Sequence, residues 1–125
     1  MDHVTGSCLC GAVILKARGK PDRVGICHCF DCRKHHGAPF YAAAIFSAGS
    51  VEVAGTAQEH KGRFFCGTCG ASVFAQSGDE VEVHLGTFDT PDLFTPTYEC
   101  WTVRREAWLA PIPGARQYAR DREDS

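Results

Sequence analysis

Cys66-Gly67-Thr68-Cys69-Gly70, read together with Cys8-Leu9-Cys10-Gly11, decides how this chain folds. A C-x-x-C turn can place two sulfurs on one ion, and the small residues Gly67 and Thr68 leave room for that turn. Glycine after the second cysteine permits φ > 0, which lets the chain fold back under a metal. Zinc takes four ligands at tetrahedral corners, with Zn–S about 2.3 Å. Cys8, Cys10, Cys66 and Cys69 supply two such pairs, one from each half of the chain. They predict a closed, structural zinc that staples segments far apart in sequence.

A third cluster, Cys27-His28-Cys29-Phe30-Asp31-Cys32, supplies three thiolates. Cys27 and Cys29 are expected off the end of a strand, and Cys32 in the first turn of a short helix over Asp31 to His36, ended by Gly37. A zinc on Cys27, Cys29 and Cys32 has an open fourth corner, the mark of a catalytic zinc. His35 and His36 follow Cys32 at helical spacing, so either is an alternative fourth ligand that would close the site. His28 lies between two ligands and should point away from the ion, where it can hydrogen-bond. Cys100, in Tyr98-Glu99-Cys100-Trp101, reads as a buried core thiol. Arg33 and Lys34 read equally as a solvated helix face or as partners for a substrate carboxylate. Phe40, Tyr41, Phe88 and Trp101 read as core or as walls of a pocket.

Length and composition narrow the rest. The chain has 125 residues, 44% of them hydrophobic and 22% charged, as in a single soluble domain. No apolar run approaches the roughly 20 residues that span a bilayer. The start, Met1-Asp2-His3-Val4-Thr5, lacks the basic and apolar regions of a signal peptide, so a cytoplasmic location is expected. A reducing compartment disfavours structural disulfides and turns clustered cysteines toward metal. The βαβ context of a thioredoxin-like redox motif is missing. The formal charge is −2, and seven thiolates with two Zn²⁺ would take it to about −5. Neither value suits a nucleic-acid partner, which demands clustered Lys and Arg.

Short apolar runs separated by glycine predict a mainly β fold. Strands are expected at Ala12 to Ala17, Val24 to Cys27, Phe40 to Phe46 and Val51 to Val53. A hairpin of Ala71 to Gln76 and Glu80 to Leu85 turns at Ser77-Gly78-Asp79. Thr97 to Val103 reads as a late strand, Pro91 to Pro96 as a loop, and Arg104 to Trp108 as a short helical turn. One zinc-binding domain over 1–113 is followed by a polar tail, 114–125, in which Ala115 to Ser125 reads as surface helix or frayed chain.

The order C-x-C-G, C-H-C-x-x-C-R and C-x-x-C-G resembles the glutathione-dependent formaldehyde-activating enzyme family, a domain also found in centromere protein V. Gly37-Ala38-Pro39-Phe40, Gly86-Thr87-Phe88-Asp89 and Trp101 to Trp108 extend the likeness from Gly6 to about Pro113. The resemblance implies tent-like antiparallel β-sheets, as in methionine sulfoxide reductase B, with two Zn²⁺ per chain. It implies that Cys8, Cys10, Cys66 and Cys69 hold a structural zinc, and that Cys27, Cys29 and Cys32 hold the catalytic one. The implied activity is a carbon–sulfur lyase type, joining a thiol such as glutathione to formaldehyde or a similar small carbonyl. The alternatives are a non-enzymatic, zinc-stabilised binding module and an enzyme of this type with a different thiol.

Overall fold

Alternation of apolar and polar residues marks strands such as Ile14–Arg18, while the central Tyr41–Ser47 is an apolar run buried along most of its length. The computed structural model describes residues 2–123. Its strands are β1 (His3–Ser7), β2 (Ile14–Arg18), β3 (Arg23–Cys27), β4 (Tyr41–Ser47), β5 (Val51–Ala54) and β6 (Ala57–His60). They continue with β7 (Arg63–Cys66), β8 (Ser72–Ser77), β9 (Glu80–His84), β10 (Tyr98–Cys100) and β11 (Arg116–Gln117). The single α-helix among the described residues, α1 (Phe30–His36), follows β3 directly.

Two sheets result. A small antiparallel one has the order β1-β2-β5, and an eight-stranded one the order β11-β10-β3-β4-β9-β8-β7-β6. All pairings are antiparallel except at one edge, where β10 runs parallel to both β3 and β11. Strand side chains alternate in facing, so the register sorts the large sheet into two faces. Val24, Ala44, Phe46, Val81 and Val83 share one face and are buried with Val13, Leu15 and Ala17 of the small sheet. Each fully buried Val, Leu or Phe there contributes about 1.5–3 kcal/mol. The opposite face is polar. Cys27 pairs with Tyr41, Ala43 with His84 and Ile45 with Glu82, so Cys27, Tyr41, His84 and Glu82 project together. The ring of Tyr98 lies over Gly25 on that face, where a Cβ would come within 2.2 Å of it.

The short helix ends where expected. Gly37 adopts φ 61°, a left-handed conformation, and its N–H donates to the Arg33 carbonyl. Three expectations are corrected. The late strand stops at Cys100, because Trp101 takes φ 56° and a 3-10 turn over Thr102–Arg104 follows. That turn replaces the helical turn expected at Arg104 to Trp108. The tail is neither helix nor frayed through residue 123: β11 extends the large sheet, and the Arg116 and Tyr118 N–H groups donate to the Thr97 and Glu99 carbonyls at 2.9 Å. Residues 124–125 of that tail, and Met1 of the 1–113 domain, lie outside the described residues. No described helix is long and apolar enough to cross a membrane.

Candidate metal centres and active site

The Cys8–Cys10 loop leaves β1, and the Cys66–Cys69 turn joins β7 to β8, so one belongs to each sheet. Four sulfurs converge between them. Cys8 and Cys10 Sγ are 3.8 Å apart, as are Cys10 and Cys66 Sγ. Tetrahedral zinc with bonds of about 2.3 Å demands sulfurs about 3.8 Å apart. Backbone donors point at these sulfurs. The Val13 N–H donates to Cys8 Sγ at 3.2 Å, and the Thr68 and Cys69 N–H groups donate to Cys66 Sγ at 3.3 and 3.5 Å. Gly70, at φ 79°, returns its N–H to the Cys66 carbonyl at 2.8 Å and closes the knuckle. The Ala71 N–H, first among several donors, draws the Cys69 thiol down to about 6. Cys10 receives a hydrogen bond from Ala12, yet burial and its thiol neighbours push it up to about 11. Four such groups ionise together only if a cation lies among them.

The second cluster sits at the end of β3 on the polar face. The donor atoms of Cys27, Cys29 and Cys32 lie within 4.8 Å of one another, in a group that contains no histidine among the described residues. Cys29 caps α1, its Sγ accepting the Cys32 N–H at 3.4 Å. Hydrogen bonding from Cys32 holds the Cys27 thiol down to about 7 against its burial, while Cys32 itself is driven well up. Both cysteine clusters are therefore able to hold metal ions, and their all-sulfur donor sets fit zinc.

The histidines take other positions. His35 Nε2 shares a 2.7 Å hydrogen bond with Ser72 Oγ, which also contacts His84 Nδ1 at 3.0 Å. The His36 ring packs edge-on against His84, with centroids 4.3 Å apart. Burial, with the charges of neighbouring histidines and Arg63, lowers His36 to about 4 and His84 to about 3. His28 turns away from the cluster, as its place in the sequence predicts. Its Nε2 lies 2.7 Å from Glu99 Oε1, and both side chains are 2% exposed. Glu99 Oε2 also accepts from the Ile112 N–H at 2.8 Å and from Gln117 Nε2 at 3.0 Å. Burial opposes its charge, but these donors and Arg105 prevail and hold it down to about 2. The loop that carries the cluster is thus anchored from behind by a satisfied buried carboxylate.

Cys100 is corrected from a core thiol. It is half-buried and pairs in register with Cys27, sharing with it a cavity of about 220 Å³. Arg33 is neither a free helix face nor available to a carboxylate. It bonds Glu106 at 2.5 Å and the Arg104 carbonyl at 3.1 Å. Lys34 is exposed. Phe88 is core, and Trp101 is half-buried with its indole N–H donating to Asp121, whereas Tyr41 and Phe40 line cavities on the polar face. Tyr41 donates its hydroxyl to Glu82. A larger groove of about 450 Å³ lies against the small sheet, but no thiol or histidine lines it. The site is therefore placed by its chemistry and not by volume.

Similar proteins point the same way. An uncharacterized lyase of Schizosaccharomyces pombe is 30% identical over 79 residues, which cover 59% of this chain and 58% of that protein. The chain thus spans a little over half the length of that relative. A crystal structure of a Rhodobacter sphaeroides protein superposes with TM-score 0.56 at 25% identity, covering 74% of this chain and 96% of that one. The family described as glutathione-dependent formaldehyde-activating enzyme matches residues 3–104, a span that holds all three cysteine clusters. By that match the chain belongs to the glutathione-dependent formaldehyde-activating enzyme family.

Proposed function

We propose that the protein is a zinc-dependent enzyme of the carbon–sulfur lyase type, acting in the cytoplasm as a domain of residues 1–113. It joins a small thiol to formaldehyde or a similar carbonyl. The carrying observation is a group of three thiols, Cys27, Cys29 and Cys32, whose sulfurs lie within 4.8 Å of one another, with Cys32 lining a polar cavity. Cys8, Cys10, Cys66 and Cys69 are assigned to a structural zinc. A zinc held by Cys27, Cys29 and Cys32 would supply an open corner that favours the thiolate form of a soft sulfur ligand.

The chain's own groups do the rest. The substrate sulfur forms a bond to the carbonyl carbon, the C=O π bond breaks, and the thiol's proton finishes on the new hydroxyl. No oxidant or reductant is needed. Tyr41 and Glu82, hydrogen-bonded to each other on the wall of the cavity that Cys32 also lines, are assigned to carrying that proton. His36 and His84 stay neutral at pH 7 and form a less charged wall. The membership in the family and the lyase name of the yeast relative support this chemistry, with glutathione as the first thiol to try.

The test is to mix zinc-loaded protein with glutathione and formaldehyde and follow adduct formation by exchange NMR. Acceleration over the spontaneous rate is expected. With zinc present, an unchanged exchange rate for glutathione and for a panel of other small thiols would refute the activity.

A further inference from the structure

The substrate's charge is also legible on the polar face. Arg63, Ala75, Glu82, Ile45 and Arg23 form one row across β7, β8, β9, β4 and β3. The outer members of this row differ. Arg23 is paired, its Nη1 and Nη2 donating to both oxygens of Glu80 at 2.9 Å, while its Nε is buried and unpartnered. Glu82 is engaged by the Tyr41 hydroxyl. Arg63 is half-buried, yet its guanidinium makes no hydrogen bond or ion pair among the described residues. Ala75, beside it in the row, is too small to fill the space between Arg63 and Glu82. A cavity of about 200 Å³ lies there, and Cys32, Lys61 and Arg63 all line it.

A guanidinium that lines a cavity and has no acceptor inside the fold has its donors free for an anion that enters. Its planar donors match a carboxylate bidentately. We propose that Arg63, assisted by Lys61, forms an anion subsite for a carboxylate carried by the thiol substrate. The preferred substrates are then mercapto-acids or peptides with a nearby carboxylate, not neutral or amine-bearing thiols. This rests on Cys27, Cys29 and Cys32 forming an open, thiol-binding metal site. It replaces Arg33, whose donors are already used by Glu106 and Arg104.

The test uses the cobalt-loaded full chain, titrated with mercaptopropionate and with its uncharged amide, mercaptopropionamide. The thiolate-to-cobalt absorption band reads binding without turnover. The acid should bind roughly tenfold or more tighter than the amide, as for one charge-assisted contact. Arg63→Gln should bring that ratio to about one while leaving amide binding unchanged, and Arg63→Lys should keep part of it. Added salt should weaken only the acid. As a second readout, propionate, which has no sulfur, should shift the Arg63 Nε–H resonance of the zinc protein. Equal binding of acid and amide, or a preference that survives Arg63→Gln, overturns the subsite and leaves the thiol site standing; a guanidinium that only offsets the thiolate charge gives this result. No cobalt band with either thiol, together with a propionate shift at Arg63, supports the subsite and refutes the thiol site. Neither signal refutes both.

Discussion

Cys69→Ser is expected to abolish the fold, not merely to weaken it. The Cys66–Cys69 turn and the Cys8–Cys10 loop belong to different sheets, and their sulfurs meet at tetrahedral spacing. Few other links do the same: Gly6 bridges to Phe88, and the inner faces of the two sheets share one core. Structural zinc contributes on the order of 10–16 kcal/mol in small zinc domains, while a domain of this size is stable by only about 5–15 kcal/mol. Losing the ion also leaves buried Cys8 and Cys66 surrounded by backbone donors arranged for thiolates. The variant should show collapsed amide dispersion in NMR spectra and lose its metal entirely at this cluster. A well-dispersed spectrum with native zinc content would refute the structural assignment of these four cysteines.

Cys32→Ser should do the opposite, sparing the fold and removing the chemistry. The second cluster hangs from the end of β3 and the first turn of α1, and neither element depends on an ion there. α1 is closed by Gly37, Arg33 is held by Glu106, and the loop is fixed from behind by His28 and Glu99. Serine replaces a soft thiolate with a weak neutral ligand, which two remaining thiolates cannot offset for a zinc in open water. One zinc per chain should remain, and the midpoint of thermal unfolding should fall by no more than about 5 °C. Thiol addition to formaldehyde should slow by roughly a thousandfold, on the order of 4 kcal/mol of lost transition-state stabilisation. Retained activity in a variant shown to carry a single zinc would exclude this cluster from the chemistry.

Much of this architecture is written locally. The two C-G knuckles, the hairpin at Ser77-Gly78-Asp79 and the Gly37 helix stop each depend on a few adjacent residues, so sequence spacing exposes them. Other features are set by pairing over distance. β6, Ala57-Gln58-Glu59-His60, is polar and pairs only with β7, Arg63-Phe64-Phe65-Cys66, a four-residue strand that in turn pairs with β8. β11 is two residues long and exists because β10 offers it an open edge. Trp101 ends β10 through a positive φ that no glycine announces.

The candidate site divides the same way. Its seven cysteines are visible as motifs, because metal chelation demands close spacing. The groups around them come from separate strands: Glu82 and His84 from β9, Arg63 from β7 and Glu99 from β10. Glu99 had one local signal, a carboxylate inside the apolar run Tyr98 to Trp101, which a buried polar role explains. Arg63 had none, since only the sheet register brings it beside the cavity that Cys32 lines.

The ion at Cys27, Cys29 and Cys32 is expected to keep a corner open for a substrate thiol, while the ion at the other cluster is closed. Cadmium NMR of the cadmium-substituted chain, before and after adding glutathione, tests it most directly. Two resonances of equal area are expected, one in the four-thiolate region and indifferent to the thiol. The second should begin in the three-thiolate region and move into the four-thiolate region as glutathione is added. A single resonance per chain, or a second resonance that glutathione leaves in place, would contradict the account.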